Sequence, residues 1–199
     1  SQAYGQRGDM LINYLHVFMI ALFVGWGLFF IYCLFRFRAK PGVRATYEPL
    51  KATWSKYLEI GVIVFEAALL VGFSIPAWEE FKSDPNPENA IQVRVVARQY
   101  EWAFHYPGQD GKFGARAPEF FDAATNPVGL NQEDPAAKDD VVWPELYVPK
   151  DKTIIAQITS NDVIHSFGVP QMRVKQDAVP GMEVPVWFVP AVVGQYEIV

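Results

Sequence analysis

Two long apolar runs constrain this chain more than any other feature. Residues 11–35 read LINYLHVFMIALFVGWGLFFIYCLF, 25 positions without a charged side chain. About 20 such residues cross a bilayer core as a helix. A helix at the surface of a globular core would show a polar stripe, and this run has none. Asn13 and His16 lie near its start, where an interface or a neighbouring helix can satisfy them, and His16 is read as structural. The second run, residues 57–78, reads YLEIGVIVFEAALLVGFSIPAW and carries Glu59 and Glu66, seven positions apart and on nearly the same helix face. A carboxylate at membrane depth should face protein or water. Pro76 and Trp78 suit the point of exit, Trp sitting at headgroup level.

Charge then sets the orientation. The segment between the runs, residues 36–56, holds Arg36, Arg38, Lys40, Arg44, Lys51 and Lys56 against Glu48 alone. From Glu79 onward 18 acids face 10 bases. Positive loops stay inside, which puts both ends of a helical hairpin on the outer side. The expected organisation is an outer N-terminal segment (1–10), a transmembrane hairpin (11–78, spans 11–35 and 57–78, inner basic loop 36–56), a polar linker (79–90) and an outer domain (91–199). The net charge of −5 argues against nucleic acid as a partner. Cys33 is the single cysteine, so the sequence holds no internal disulfide and no Cys-based metal box. No nucleophile–base set or Gly-rich phosphate loop is present, which disfavours a stand-alone enzyme.

Beyond residue 90 the hydrophobic period changes to two. Ile91, Val93 and Val95 alternate with Gln92 and Arg94, and Tyr100, Trp102, Phe104 and Tyr106 alternate with Glu101, Ala103 and His105. Further strands are predicted over 145–148, 153–159, 163–167, 184–189 and 195–199. Short strands between Pro, Gly and Asp turns indicate an all-β sandwich or barrel. Residues 106–140 have no sustained period, and a loop of that length is usually functional or partner-bound. A cation site from Asp110, Asp139 and Asp140 is conceivable, but the spacing matches no calcium loop.

Four short motifs fall in order behind the apolar hairpin. They are Leu58 and Glu59, RQYEW over 98–102, SNDVIHSF over 160–167, and KQDAVPG over 175–181. Together they resemble subunit II of the haem–copper cytochrome c oxidases, over nearly the whole chain. The resemblance implies a transmembrane α-helical hairpin carrying an all-β, cupredoxin-like Greek-key barrel. It implies a dinuclear copper A centre that takes electrons from cytochrome c, or from a cytochrome c domain, and passes them to haem in subunit I. His165 matches the first imidazole ligand. The other ligands lie in a CxExC-xxx-H-xx-M box that follows a Gly-x-Tyr strand, here GQYEIV over 194–199. This stretch of sequence is therefore expected to stop just short of that box, and residues 1–199 alone hold one copper ligand.

Other roles follow from the same resemblance. Tyr100, at a position usually Trp, and Trp102 match the aromatic strand of electron uptake, although both also read as a core-facing aromatic stripe. Glu59 matches the acid at the mouth of the proton path into subunit I, and equally suits a helix start. Asp177 matches an acid facing the subunit I haem propionates and a nearby magnesium, or caps its turn. Asp162 and its acidic neighbours suit docking of a basic cytochrome, or form a solvated face. The implied setting is a bacterial inner membrane with the outer domain in the periplasm, or a mitochondrial inner membrane. Two alternatives stay open: a copper-less, quinol-oxidase-type subunit II, and a membrane-anchored single-copper carrier. The first generally lacks the counterparts of His165 and of the Lys175-to-Ala178 turn. The second needs a Cys and a second His in the barrel, and His105 lies on another strand.

Overall fold

A computed structural model describes residues 5–44, 53–83 and 89–199. Glu48 and Lys51 of the basic segment, and residues 84–88 of the expected linker, lie outside them. The chain divides into two units, Arg7–Glu80 and an outer unit built from Phe81–Val199 with Gly5 and Gln6.

The first unit is helical. Helix α1 (Gly5–Arg36) has 32 residues, and a second helical stretch, Trp54–Lys82, has 29; both are long and apolar enough to cross a membrane. That stretch comprises α2 (Trp54–Leu69), a π-helical turn over Leu70–Ser74, and α3 (Ile75–Lys82). The widened turn sits just before Pro76, whose ring displaces the preceding turn and whose missing N–H removes one ladder bond. Both helices exceed the apolar runs. The first begins inside the expected N-terminal segment, and the second runs through Pro76 to Lys82, so the expected linker begins in helix. Phe18 packs on Phe65 with ring centroids 4.4 Å apart, and Arg7 pairs with Glu80 at 2.7 Å. Contacts of early with late positions make the pair antiparallel. His16 Nδ1–H donates to the Ile12 carbonyl at 2.7 Å, the structural satisfaction its position suggested. Glu59 and Glu66 are exposed on the hairpin.

The outer unit is a cupredoxin-like all-β domain of two sheets. One has five strands in the order β3-β2-β1-β4-β7: β1 (Ile91–Arg98), β2 (Glu101–Tyr106), β3 (Val141–Trp143), β4 (Ile154–Ser160) and β7 (Val184–Phe188). The other pairs β5 (His165–Val169) with β6 (Val174–Ala178). β1 and β4 run parallel and the remaining neighbours antiparallel. Val93, Val95, Phe104, Ile154, Ile158, Phe167 and Phe188 fill the space between the sheets. The β5–β6 hairpin closes through a 3₁₀ turn, Pro170–Met172, and Arg173 at φ 57°, a left-handed backbone unusual outside glycine.

Three expectations need correction. β1 does not simply alternate, because Val96 and Ala97 are both buried. The reason is the excursion over residues 107–140, which covers the outer face of the sheet and builds a second core from Val96, Ala103, Val128, Leu130 and Ala137. The excursion stays irregular, with 3₁₀ turns at Pro118–Phe120 and Pro135–Lys138, and Gly129 sits at φ +67° against the Ala117 carbonyl, where a side chain would collide. Second, no strand forms over 145–148. Pro144 precedes it, the Tyr147 amide bonds to the Tyr106 hydroxyl at 2.8 Å, and β3 forms upstream instead. Third, residues 195–199 form no ladder; Val199 alone exchanges both backbone bonds with Gly168, at 2.8 and 2.9 Å.

Candidate functional site

The site is built where β4 ends and β5 begins. Ser160 closes β4, and the Asn161 amide bonds to the Ala97 carbonyl at 3.0 Å, which pins the crossover to the end of β1. The chain then turns around one carboxylate. Asp162 Oδ2 accepts the Gln99 amide at 2.7 Å, while Oδ1 accepts the Val163 amide at 2.6 Å and the Ser160 hydroxyl at 3.2 Å. Oδ1 also accepts His165 Nε2–H at 2.7 Å. The bond to the His165 imidazole, with the Gln99, Val163 and Ser160 donors, holds the Asp162 carboxyl well below the usual carboxylate range.

That bond fixes the imidazole as the Nε2–H tautomer and leaves Nδ1 with the lone pair. A carboxylate behind one imidazole nitrogen is the arrangement that orients a metal-binding histidine. The ring stands edge-on to Trp102, centroids 6.1 Å apart and planes at 67°, and Trp102 stands edge-on to Phe167 at 5.6 Å. Trp102 is half-buried, whereas Tyr100, at the β1–β2 turn, is 95% exposed. A path of aromatic rings thus leads inward from Trp102, and the Gln99–Asp162 bond ties the Tyr100 turn to the His165 loop.

His165, Asp162 and Trp102 are therefore brought together, with Tyr100 on the same corner. Asp162 is exposed, with Oδ1 bonded within the loop and Oδ2 bonded to the Gln99 amide of the β1–β2 turn. Asp177 lies within β6 opposite Ser166, exposed, in a strand and not at a turn cap. Among the described residues no group of three His, Cys, Asp or Glu side chains is arranged to hold a metal ion, so Asp110, Asp139 and Asp140 form no cation site. Their carboxylates have other work: Asp139 accepts the Gln109 and Asp110 amides, and Asp110 accepts the Lys112 amide. For copper, the described residues fit one ligand position, His165. On the far side of Trp102 a cleft of about 690 Å³ opens between Tyr147, Met172, Phe188 and Tyr196.

Sequence reasoning missed two features. The inward use of Asp162 was readable in the Ser160, Asp162, His165 spacing, which lets one carboxylate reach back and forward along a tight loop. The burial of His105 was not readable, because its strand alternates as if that face met solvent.

The family described as cytochrome c oxidase subunit II, periplasmic domain, matches residues 91–197, more than half of the chain. The alternative cytochrome c oxidase subunit 2 of Bradyrhizobium diazoefficiens is 36% identical over 178 residues, 86% of this chain and 61% of that protein. The cytochrome c oxidase subunit 2 of Cereibacter sphaeroides is 28% identical over 194 residues, 89% of this chain and 61% of its own length. The chain thus spans about three-fifths of these relatives. A crystal structure of the periplasmic domain of cytochrome oxidase subunit II from Bradyrhizobium japonicum is 29% identical, covering 55% of this chain and 70% of that one, at a TM-score of 0.37. On the family match over its outer domain, the chain belongs to the cytochrome c oxidase subunit II family.

Proposed function

We propose that this chain is subunit II of a respiratory cytochrome c oxidase, anchored in a bacterial inner membrane with its β domain in the periplasm. It accepts electrons from cytochrome c at a copper A centre and passes them to haem in subunit I, where oxygen is reduced. The observation that carries this reading is the Asp162–His165–Trp102 constellation at one corner of a cupredoxin-like domain.

His165 Nδ1 would be one ligand of copper A, with the rest of the ligand set outside residues 1–199. When bound, that centre supplies one-electron redox chemistry with little structural rearrangement. The chain's own residues do the positioning. Asp162 holds the imidazole in its tautomer and plane, and the backbone amides of Gln99 and Val163 hold Asp162. No proton need move on His165, because Nε2–H stays on the ring. Tyr100 presents an aromatic surface to the donor, and Trp102 fills the space between that surface and His165. Asp177 faces outward for subunit I, and Glu59 serves proton uptake from the inner side.

Two substitutions test these assignments. Asp162→Asn in the full-length oxidase keeps the shape of the loop but removes the carboxylate behind His165. Copper affinity should fall about 10- to 100-fold, the usual cost of losing such a partner. Titration of the apo-oxidase with copper ions checks it, and unchanged affinity would return Asp162 to a purely structural turn. Glu59→Ala should slow turnover while leaving the copper optical signal intact. Unchanged turnover would remove Glu59 from the proton path.

A further inference from the structure

His105 is fully buried under the 107–140 excursion, away from the His165 loop, and the proposed electron path does not use it. Its Nε2–H donates to Asp140 Oδ2 at 2.7 Å, and its Nδ1 lies 3.3 Å from the Arg94 guanidinium, which can only donate. Both bonds are satisfied by one form of the ring, the neutral Nε2–H tautomer. A proton on Nδ1 would set two donors against each other and place a cation beside Arg94. Asp140 in turn accepts the Gly114 amide at 2.8 Å and the Gly108 amide at 3.3 Å, so the same carboxylate clamps both flanks of the excursion's first loop. Phe113 closes the site over His105 at 5.0 Å, with the Arg94 guanidinium 4.4 Å from its ring centre.

We propose that His105 is a proton-sensitive latch: neutral, it pins the 107–140 excursion to the sheet through Asp140, and protonated, it releases it. The charged groups around the ring are Arg94 on β1, Asp140 at the end of the excursion and Arg116 within it. Glu183, before β7, lies 3.1 Å from Arg94 Nε without the alignment of a hydrogen bond, and 3.4 Å from Arg116. Asp139 is turned away to the Gln109 and Asp110 amides. Burial holds the imidazole's pKa below its ordinary value; Asp140 opposes that, and Arg94 and Arg116 add to it. The sign follows. The closed latch binds a proton less readily than the open one, whose histidine titrates near 6.5. Closure is thus fully favoured above about 6.5 and weakens as pH falls below it, by at most about tenfold per pH unit in the opening constant for one proton.

Opening would reach the His165 loop, because Arg116 bonds Asn161 at 3.3 Å and Asn161 bonds the Pro127 carbonyl at 3.0 Å. The latch itself is independent of whether His165 binds copper. Hydrogen exchange of the intact oxidase complex between pH 8 and pH 5, corrected for the pH dependence of chemical exchange, tests it. Peptides from 107–140 should lose protection progressively below about 6.5, by at most about tenfold per pH unit, while β4 peptides do not. His105→Gln keeps a donor for Asp140 and an acceptor for Arg94 but cannot titrate, and should flatten that step. Constant protection of the wild-type excursion across this range, or the same step in His105→Gln, would overturn the latch.

Discussion

Replacing His165 by Ala in the full-length oxidase should abolish the optical and paramagnetic signals of copper A and stop electron uptake from cytochrome c. The expectation rests on how the ring is held. A side chain whose Nε2–H is fixed by a carboxylate offers Nδ1 in one direction only, so its loss removes both a ligand and the orientation of the ligand pocket. The fold should survive. The polar tie of the His165 side chain is to Asp162, which keeps its bonds to Gln99, Val163 and Ser160, and the β5–β6 register is made by backbone groups. The ring is only partly buried, so stability should change by about 1 kcal/mol or less, against several for a core deletion. Copper spectroscopy read beside thermal unfolding separates the two effects. Copper signals retained in a folded His165→Ala protein would reject the ligand assignment; signals lost together with the fold would point to a structural histidine.

The parts of this molecule that were legible in the sequence are those governed by local periodicity. The helices could be read because an apolar run of that length has no other stable place, and β1, β2, β4 and β7 because their alternation and β-branched content suit a pleated surface. What escaped depends on partners distant along the chain. His105 reads as outward-facing, and the return of the 107–140 excursion across the sheet buries it together with Val96. An aperiodic, Gly- and Pro-rich segment gives no sequence signal of where it will lie, since its backbone is satisfied by side chains such as Asp122, Asn126 and Asp134 instead of a ladder. The same limit applied at the site. His165 could be singled out by its motif, and the local spacing lets Asp162 reach it, but the Gln99 amide that takes the other carboxylate oxygen lies 63 positions away.

Asp140→Ala should be the most destabilising single change in the outer domain outside its apolar core. The carboxylate is wholly buried, and its removal leaves His105 Nε2–H and the Gly114 amide without their acceptor beneath the excursion. Each buried donor left unsatisfied costs about 1–3 kcal/mol, and two or more together are a large part of the roughly 5–15 kcal/mol that holds a domain together. Neighbouring glycines leave little room for repair: a Cβ at Gly114 would fall 2.6 Å from that of Ala137, so the backbone there already sits as close as it can. Asp140→Asn keeps an acceptor oxygen and should cost less, about 1–3 kcal/mol. The measurement is the denaturant midpoint of the outer domain, followed through the exchange of β1 and β2 amides. A double-mutant cycle with His105→Ala should show a coupling of about 0.5–3 kcal/mol, because the second deletion removes a donor already orphaned by the first. Strict additivity would mean that the two side chains stabilise the excursion separately. A cost for Asp140→Ala within about 0.5 kcal/mol, the range of an ordinary surface substitution, would show that the excursion is held by its apolar contacts with Val96 and Ala103, with the buried pair contributing nothing.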